Sequence, residues 1–347
     1  MGKLGQWLKN ARSLSLVQSL MPAVLAVVMA IGSDGFSIVC ALAALLGVAC
    51  AHLSMNLADD YFDYRVDMLG DRDRVIRKGF RAMTVKYPYL TDGSESPATL
   101  RKAILSFGAV AVLAGAIIFT LRTLQSGFLG IQGTWWIVAI ATVTIFLGIF
   151  YSAPPLKLAY RGLGELIIGV IFGPLLMAGV FYSCAGCLSE KIFWISIPVG
   201  LLVLNILYTH SFIDKAGDAE CGKMTFALLL GSDRAGLIAA FIFNLLPFIM
   251  IAAAVIAGVL HPLYLLVLLI LPRAVWLCAS LRAFAAGKQD VPARPPFWLG
   301  KMMDWEGVRS AGVDWFLMRW LTARNTLSGF CFAVTAAKLI LIIFNVQ

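Results

Sequence analysis

Long apolar runs separated by short charged segments extend from residue 13 almost to the end of the chain. A helix needs about 20 apolar residues to cross the hydrocarbon core of a bilayer. The runs therefore predict an all-α, polytopic membrane protein with about nine transmembrane helices. These spans cover residues 13–33, 36–58, 103–121, 134–152, 166–184, 192–212, 235–259, 262–284 and 325–345.

The composition excludes a soluble protein, since 60% of the 347 residues are hydrophobic and only 14% are charged. Lys and Arg are concentrated in the N-terminal segment and after the even-numbered spans, whereas the opposite connections hold only Arg122 and Lys191. The N-terminus and the basic loops are therefore expected in the cytoplasm of a bacterial-type inner membrane, with the C-terminus outside. The net charge of +9 indicates contact with anionic membrane lipid and gives no support for nucleic-acid binding.

Two spans end in acidic segments, "NLADDYFDYRVD" at residues 56–67 and "YTHSFIDKAGD" at residues 208–218. They close the second and the sixth span, four spans apart, and both lie at predicted cytoplasmic ends. This repeat predicts two four-helix halves around a central chamber plus one further helix. No linker divides the chain, so a single membrane domain is expected over residues 1–347.

The acids in each segment are spaced to share a helix face, because each residue of a helix turns by about 100°. In the first segment one face carries four polar side chains within an arc of about 60°, namely Asn56, Asp60, Asp63 and Asp67. Asp59 lies off that face. In the second segment three side chains follow one another at successive turns, namely His210, Asp214 and Asp218.

Carboxylates stacked on one face repel each other, most strongly at the edge of a low-dielectric membrane. No basic residue follows the helical spacing of the acidic face, so a divalent cation is the expected counter-ion. Mg²⁺ binds a few carboxylates and keeps positions for phosphate oxygens and water, so two such faces predict about two or three ions bridged by a diphosphate. Two other interpretations are a solvated helix end and an ion or proton pathway, although the acids lie at helix mouths and not at mid-span.

These segments resemble motifs of the UbiA superfamily of intramembrane prenyltransferases. "DDYFDYRVD" is similar to the NDxxDxxxD motif of that superfamily, and "DKAGD" is similar to its second motif, DxxxD. "GKMTFALLLG" at residues 222–231 and "YSAPPLKLAYRGLGE" at residues 151–165 resemble two further segments. The segment at residues 151–165 and the segment "NLADDYFDY" are most similar to 1,4-dihydroxy-2-naphthoate polyprenyltransferases, which make the menaquinone precursor.

The resemblance implies an Mg²⁺-dependent transferase that moves a polyprenyl group from a polyprenyl diphosphate to an aromatic acceptor such as dihydroxynaphthoate. Five carboxylates would bind Mg²⁺ and the diphosphate, namely Asp60, Asp63, Asp67, Asp214 and Asp218. Cationic side chains would neutralise the diphosphate, with Arg72, Lys157 and Lys223 as first choices and Arg74 and Arg161 as alternates. The allylic C–O bond would then break in an apolar chamber that keeps water from the carbocation.

Four further polar or aromatic residues have one or more expected roles. Tyr151 either lines the chamber and helps to hold the diphosphate or is an interfacial aromatic residue. Asn56 is expected to bind metal or to orient Asp60. His210 is a proton acceptor, a metal ligand or a residue in a buried hydrogen bond. Asn205, a lone polar residue in the sixth span, is expected to form a hydrogen bond between helices.

Some residues depart from the family pattern and leave the acceptor open. Asp59 stands where the family usually has Asn, and Asp71 is a rival of Asp67 for the third acidic position. His210 and Ser211 stand where the naphthoate branch often has two asparagines. A prenyltransferase with another acceptor and a terpene cyclase are therefore alternatives. A cation transporter is a third, although spans one, three, four and five carry no ionisable residue deep in the membrane.

Two features lie outside this pattern. Residues 285–323 form a long connection whose apolar and aromatic content predicts an interfacial helix at about residues 305–321. The pair Cys184 and Cys187 lies in an outward loop with no histidine nearby, which argues against zinc and leaves a local disulfide open.

Overall fold

The structure is a computed structural model that describes residues 2–67, 87–130, 132–220, 224–302 and 304–345, the side chains of residues 66 and 67 excepted. Within these ranges every regular element is a helix. In the same ranges nine helical segments are long and apolar enough to cross a bilayer, which confirms the predicted all-α membrane fold.

The membrane-spanning segments follow the predicted order along the chain. Their bounds are Ser13–Ala30, Ile38–Arg65, Pro97–Ser126, Trp135–Ser152, Gly164–Ala185, Glu190–Ile213, Asp233–Ile256, Pro262–Ala285 and Asp314–Ile343. The short helices outside them are Lys3–Asn10, Pro88–Thr91, Leu158–Arg161, Lys215–Glu220, Phe226–Leu229, Phe297–Leu299 and Trp305–Ser310. The helix of the second span runs without interruption to Asp67, so the first acidic segment is the continuation of a membrane helix.

The connection before the last span differs from its prediction. In place of one interfacial helix over residues 305–321, a short helix at Trp305–Ser310 is followed by a turn at Gly312, after which the last span begins. Gly312 has φ +69, a left-handed conformation that favours glycine and ends helices. In the early turns of the last span, the fully buried Arg319 guanidinium donates to the backbone oxygens of Ser280, Lys288 and Gln289.

The chain divides into two compact units. Unit one comprises Met1–Leu158 and Leu175–Ile192, which contain the first four spans and the second half of the fifth. Its second and third spans pack along much of their length, and Gly47 allows them a close approach. Cys184 and Cys187 are free thiols, so no disulfide joins this pair.

Unit two comprises Ala159–Pro174 and Phe193–Gln347, which contain the first half of the fifth span and the last four spans. The boundary between the units therefore runs through the fifth span and not between the fourth and the fifth. Asn205 and Asn244 exchange two side-chain hydrogen bonds of 2.9 and 3.1 Å, which confirms the predicted bond between membrane helices.

Candidate active site

Asp60, in the last turns of the second span, is fully buried. Two side chains from other elements contact its carboxylate. Tyr89 donates from Oη to Oδ2 of Asp60 at 2.8 Å, and Nη2 of Arg12 lies 3.2 Å from Oδ1. Burial of a carboxylate is costly unless the group is paired and hydrogen-bonded, so these two contacts compensate for the burial of Asp60.

Arg12 lies between the N-terminal helix and the first span. Its backbone is in the left-handed region, with φ 56, which ends the helix and redirects the chain. Besides its contact with Asp60, Nη2 donates to the backbone oxygen of Asn56 at 2.9 Å and lies 3.6 Å from Oδ2 of Asp59. Burial lowers the pKa of Arg12, but the nearby carboxylates raise it above its usual value, so the guanidinium stays cationic.

Tyr89 is fixed next to the acid by apolar and aromatic packing. It lies in the short helix Pro88–Thr91, and its ring meets that of Trp7 edge to face with the ring centroids 6.1 Å apart. Burial raises the pKa of Tyr89, and the charge of Asp60 raises it further, so the phenol keeps its proton and remains a donor. The same buried cluster contains Leu57, Tyr87, Leu90 and Leu100.

Asn56 and Asp59 bind neighbours within unit one. Asn56 donates from Nδ2 to the backbone oxygen of Ala11 and to Oγ of Ser15, each at 3.0 Å. Ser152 donates from Oγ to Oδ1 of Asp59 at 2.5 Å, so Asp59 joins the second span to the fourth. Asn56 therefore ties the acidic face to the segment that carries the guanidinium, and its predicted contact with a metal stays a prediction.

The second acidic segment lies in unit two, where it covers the last turns of the span Glu190–Ile213 and continues to Asp218. Asp214 donates from its backbone nitrogen to the His210 oxygen at 2.9 Å, and Asp218 donates likewise to the Asp214 oxygen at 2.8 Å. The three residues therefore follow one another at successive turns, which confirms the predicted spacing. Asp218 is buried, whereas Asp214 is half-buried and its side chain lies against Gly217.

Two side chains of this segment, His210 and Lys215, have partners elsewhere in unit two. The His210 ring meets that of Phe316 edge to face, with the centroids 5.0 Å apart. Lys215 donates from Nζ to Oδ1 of Asp233 at 3.0 Å and to the Gly231 oxygen at 2.7 Å. Lys215 is thus bound to the start of the seventh span, and the role of His210 stays a prediction.

A buried glutamate that the sequence reasoning overlooked joins two of the resembling segments within unit two. Both carboxylate oxygens of Glu165 accept from the backbone nitrogen of Phe226, at 3.2 and 3.3 Å. Gly162 has φ +78 and lies against Leu229, where a larger residue would be both strained and crowded. The turn before the fifth span is thereby packed against the segment that follows the second acidic segment.

The other predicted site residues are described only in part or not at all. Tyr151 lies in the last turn of the fourth span, and Lys157 has a left-handed backbone with φ 43. Asp67 ends its helix, but its side chain lies outside the description. Four more predicted residues lie outside the described ranges, namely Asp71, Arg72, Arg74 and Lys223. Their roles stay predictions.

The described side chains fit an Mg²⁺ ion that is also bound by phosphate oxygens. They do not fit an ion whose ligands all come from the protein. Among them, no group of three or more His, Cys, Asp or Glu residues converges to form a metal site. Asp60 and Asp63 nevertheless supply carboxylate oxygens on successive turns, and Mg²⁺ commonly takes one or two carboxylates together with substrate phosphates. The contact of Arg12 with Asp60 shows that this carboxylate is already paired with positive charge.

The contacts of Asp60 with Arg12 and Tyr89 are not predicted by the sequence patterns. These patterns place Arg12 only among the basic residues of the N-terminus and assign no role to Tyr89. No local spacing relates either residue to the acidic face, since Tyr89 and Asp60 are 29 positions apart. One feature of the sequence points to Arg12: it is the last basic residue before the first span, where its side chain can reach the membrane surface.

Comparison with known sequences gives an independent result. The sequence profile of the UbiA prenyltransferase family matches residues 19–302. The chain is also 25% identical over 266 residues to 1,4-dihydroxy-2-naphthoate octaprenyltransferase from Bacillus subtilis strain 168. That alignment covers 75% of this chain and 77% of the relative.

Solved structures share the fold. A structure of digeranylgeranylglyceryl phosphate synthase superposes with a TM-score of 0.59 at 17% identity, over 97% of this chain and 100% of the other. A UbiA homolog from Archaeoglobus fulgidus, bound to GPP and Mg²⁺, superposes with a TM-score of 0.55 at 15% identity, over 95% and 99% of the two chains. At these identities the likeness shows the fold alone.

Proposed function

Since the chain belongs to the UbiA prenyltransferase family, we propose that it transfers a polyprenyl group from a prenyl diphosphate to 1,4-dihydroxy-2-naphthoate, a step of menaquinone biosynthesis. The observation that carries this proposal is the buried Asp60 carboxylate at the mouth of a membrane span, held by Arg12 and Tyr89. The Bacillus subtilis relative, a 1,4-dihydroxy-2-naphthoate octaprenyltransferase, supports the choice of acceptor.

The two acidic segments are proposed to bind the diphosphate of the donor through Mg²⁺. The proposed metal-binding residues are Asp60, Asp63, Asp67, Asp214 and Asp218. The Archaeoglobus fulgidus homolog, which binds GPP and Mg²⁺, supports the same class of donor and metal. When bound, Mg²⁺ would supply positive charge that stabilises the leaving diphosphate.

The protein itself positions the donor and protects the reacting carbon. Tyr89 holds one oxygen of Asp60, which leaves the other oxygen to face positive charge. Arg72, Lys157 and Lys223 are proposed to neutralise the diphosphate as the allylic C–O bond breaks, and Tyr151 to donate a hydrogen bond to it. The apolar spans would exclude water from the carbocation, so that the aromatic ring attacks it first.

His210 is proposed to accept the proton that the acceptor loses, since it lies one turn before Asp214. A neutral imidazole in that position is a suitable base. His210→Ala is therefore expected to slow prenylation by about a hundredfold while binding of prenyl diphosphate in Mg²⁺ stays close to that of wild type. An equal loss in both assays would indicate metal ligation, and no loss in either would indicate a structural residue packed against Phe316.

The proposal is tested by identifying the products of the purified protein. The protein is incubated with Mg²⁺ and labelled prenyl diphosphates of several lengths, with and without a panel of aromatic acids. Prenylated dihydroxynaphthoate is the expected product. A product formed only with another acid would replace the acceptor, and a cyclic hydrocarbon formed without any acid would indicate a terpene cyclase. If the donor remains intact under all conditions, the proposed activity is wrong.

A further inference from the structure

Membrane proteins generally carry basic residues at the cytoplasmic side. This preference alone does not explain the contacts of Arg12. Its guanidinium contacts Asp60 and the Asn56 backbone oxygen at 3.2 and 2.9 Å, yet its side chain is still 37% exposed. Asn56 also holds the Ala11 backbone, which fixes the chain next to Arg12 beside the acidic face. A partly accessible cation is thus held against one oxygen of a buried carboxylate.

Arg12 and a metal ion would compete for this carboxylate. A divalent cation bound to Oδ1 of Asp60 would stand within a few ångströms of the guanidinium, and like charges repel strongly at the edge of a low-dielectric region. A diphosphate relieves this repulsion, because its oxygens bind Mg²⁺ and also accept from the planar fork of an arginine. The guanidinium and the metal ion would therefore exclude each other at this carboxylate without a donor and would be compatible when the donor is bound.

We propose that Arg12 is a donor-binding residue that pairs with Asp60 while the donor is absent and transfers to the diphosphate when donor and Mg²⁺ bind. This inference rests on the proposed function of Asp60 as a metal ligand. Tyr89 keeps the other oxygen of Asp60 throughout, so the carboxylate stays in place while its partner changes. Before donor binding, Arg12 thereby keeps the metal affinity of the site low.

Two equilibrium measurements without turnover test the proposal. Binding of Mg²⁺ alone, and of geranyl thiodiphosphate in excess Mg²⁺, is measured calorimetrically on the purified protein in detergent. The sulfur of this analogue slows cleavage of the allylic bond. Arg12→Gln is expected to bind Mg²⁺ alone at least about fivefold more tightly and the analogue at least about tenfold more weakly, in the range of typical coupling between ligands.

The opposite signs of these two changes separate donor binding from a structural role, since a distorted site would bind both ligands more weakly. Lys9→Gln is the matched control, because it removes the same charge from an exposed position of the N-terminal helix and should change neither affinity. Arg12→Lys keeps the charge but loses the planar fork, and we expect intermediate values for both ligands.

The possible outcomes separate this inference from the proposed function. If wild type binds the analogue in Mg²⁺ but Arg12→Gln shows no gain in Mg²⁺ affinity or no loss of analogue affinity, the role of Arg12 is wrong and the proposed function stands. If wild type binds neither ligand, the proposed function itself is wrong. If Arg12→Gln does not fold, Arg12→Lys decides, and wild-type affinities for both ligands in that variant overturn the inference.

Discussion

At the scale of single residues, the two acidic segments should dominate the rate of the reaction. Asp60→Asn, Asp63→Asn and Asp214→Asn should each lower kcat/KM for prenyl transfer by at least about a hundredfold, the usual effect of losing an electrostatic contact in the transition state. Asp290→Asn, at an exposed loop position, is the control and should leave the rate unchanged. Rates close to wild type in all three variants would show that the acids take no part in the reaction.

The acids themselves could be predicted from the sequence, because spacing along one helix is a local property and determines which side chains share a face. The partners of Asp60 could not be predicted in this way. Arg12 reaches the second span across 44 positions of the chain, and Tyr89 approaches from a short helix between the second and third spans. Such contacts depend on tertiary packing. The spacing of residues along one helix does not show which residues of other elements will contact it.

At the scale of helices, Arg122 is expected to be structural and not a simple topology signal. Its guanidinium is buried and donates to the carbonyl oxygens of Gly35, Ser183 and Cys184, which end neighbouring segments of unit one. Arg122→Lys cannot reproduce this fork and should destabilise the protein by at least about 2 kcal/mol, the scale of lost bonds to a charged donor. Lys191→Gln, at an exposed position on the same predicted side, should not.

Thermal unfolding in detergent, followed by loss of the monodisperse protein, measures the effect of Arg122→Lys. A midpoint equal to that of wild type would show that the carbonyl groups find other partners.

The spans themselves could be predicted because the bilayer sets the length of an apolar helix, whatever its tertiary partners. The last span shows where this reasoning fails. Its apolar run predicts a start at residue 325, yet the helix begins at Asp314. Polar groups of its first turns find hydrogen-bond partners, since Arg319 donates to the backbone oxygens of Ser280 and Trp315, and hydropathy does not register such compensation.

At the scale of the whole molecule, the distribution of Lys and Arg predicts one orientation in the membrane. Reporter tags at the N-terminus, near Gly93 and near Gln289 should report the cytoplasm. Tags near Gly130 and at the C-terminus should report the opposite side. A cytoplasmic C-terminus would mean that the number of crossings is even and that one of the nine candidate spans in the described ranges does not cross the bilayer.

The central claim is that carboxylates at the mouths of two membrane spans act on a prenyl diphosphate through Mg²⁺. The most direct test is the rate of prenyl transfer by the purified protein during removal and return of the metal. EDTA should abolish turnover, and excess Mg²⁺ should restore it, because acidic side chains do not hold a diphosphate without cations between them. Turnover that continues unchanged in EDTA would contradict the claim.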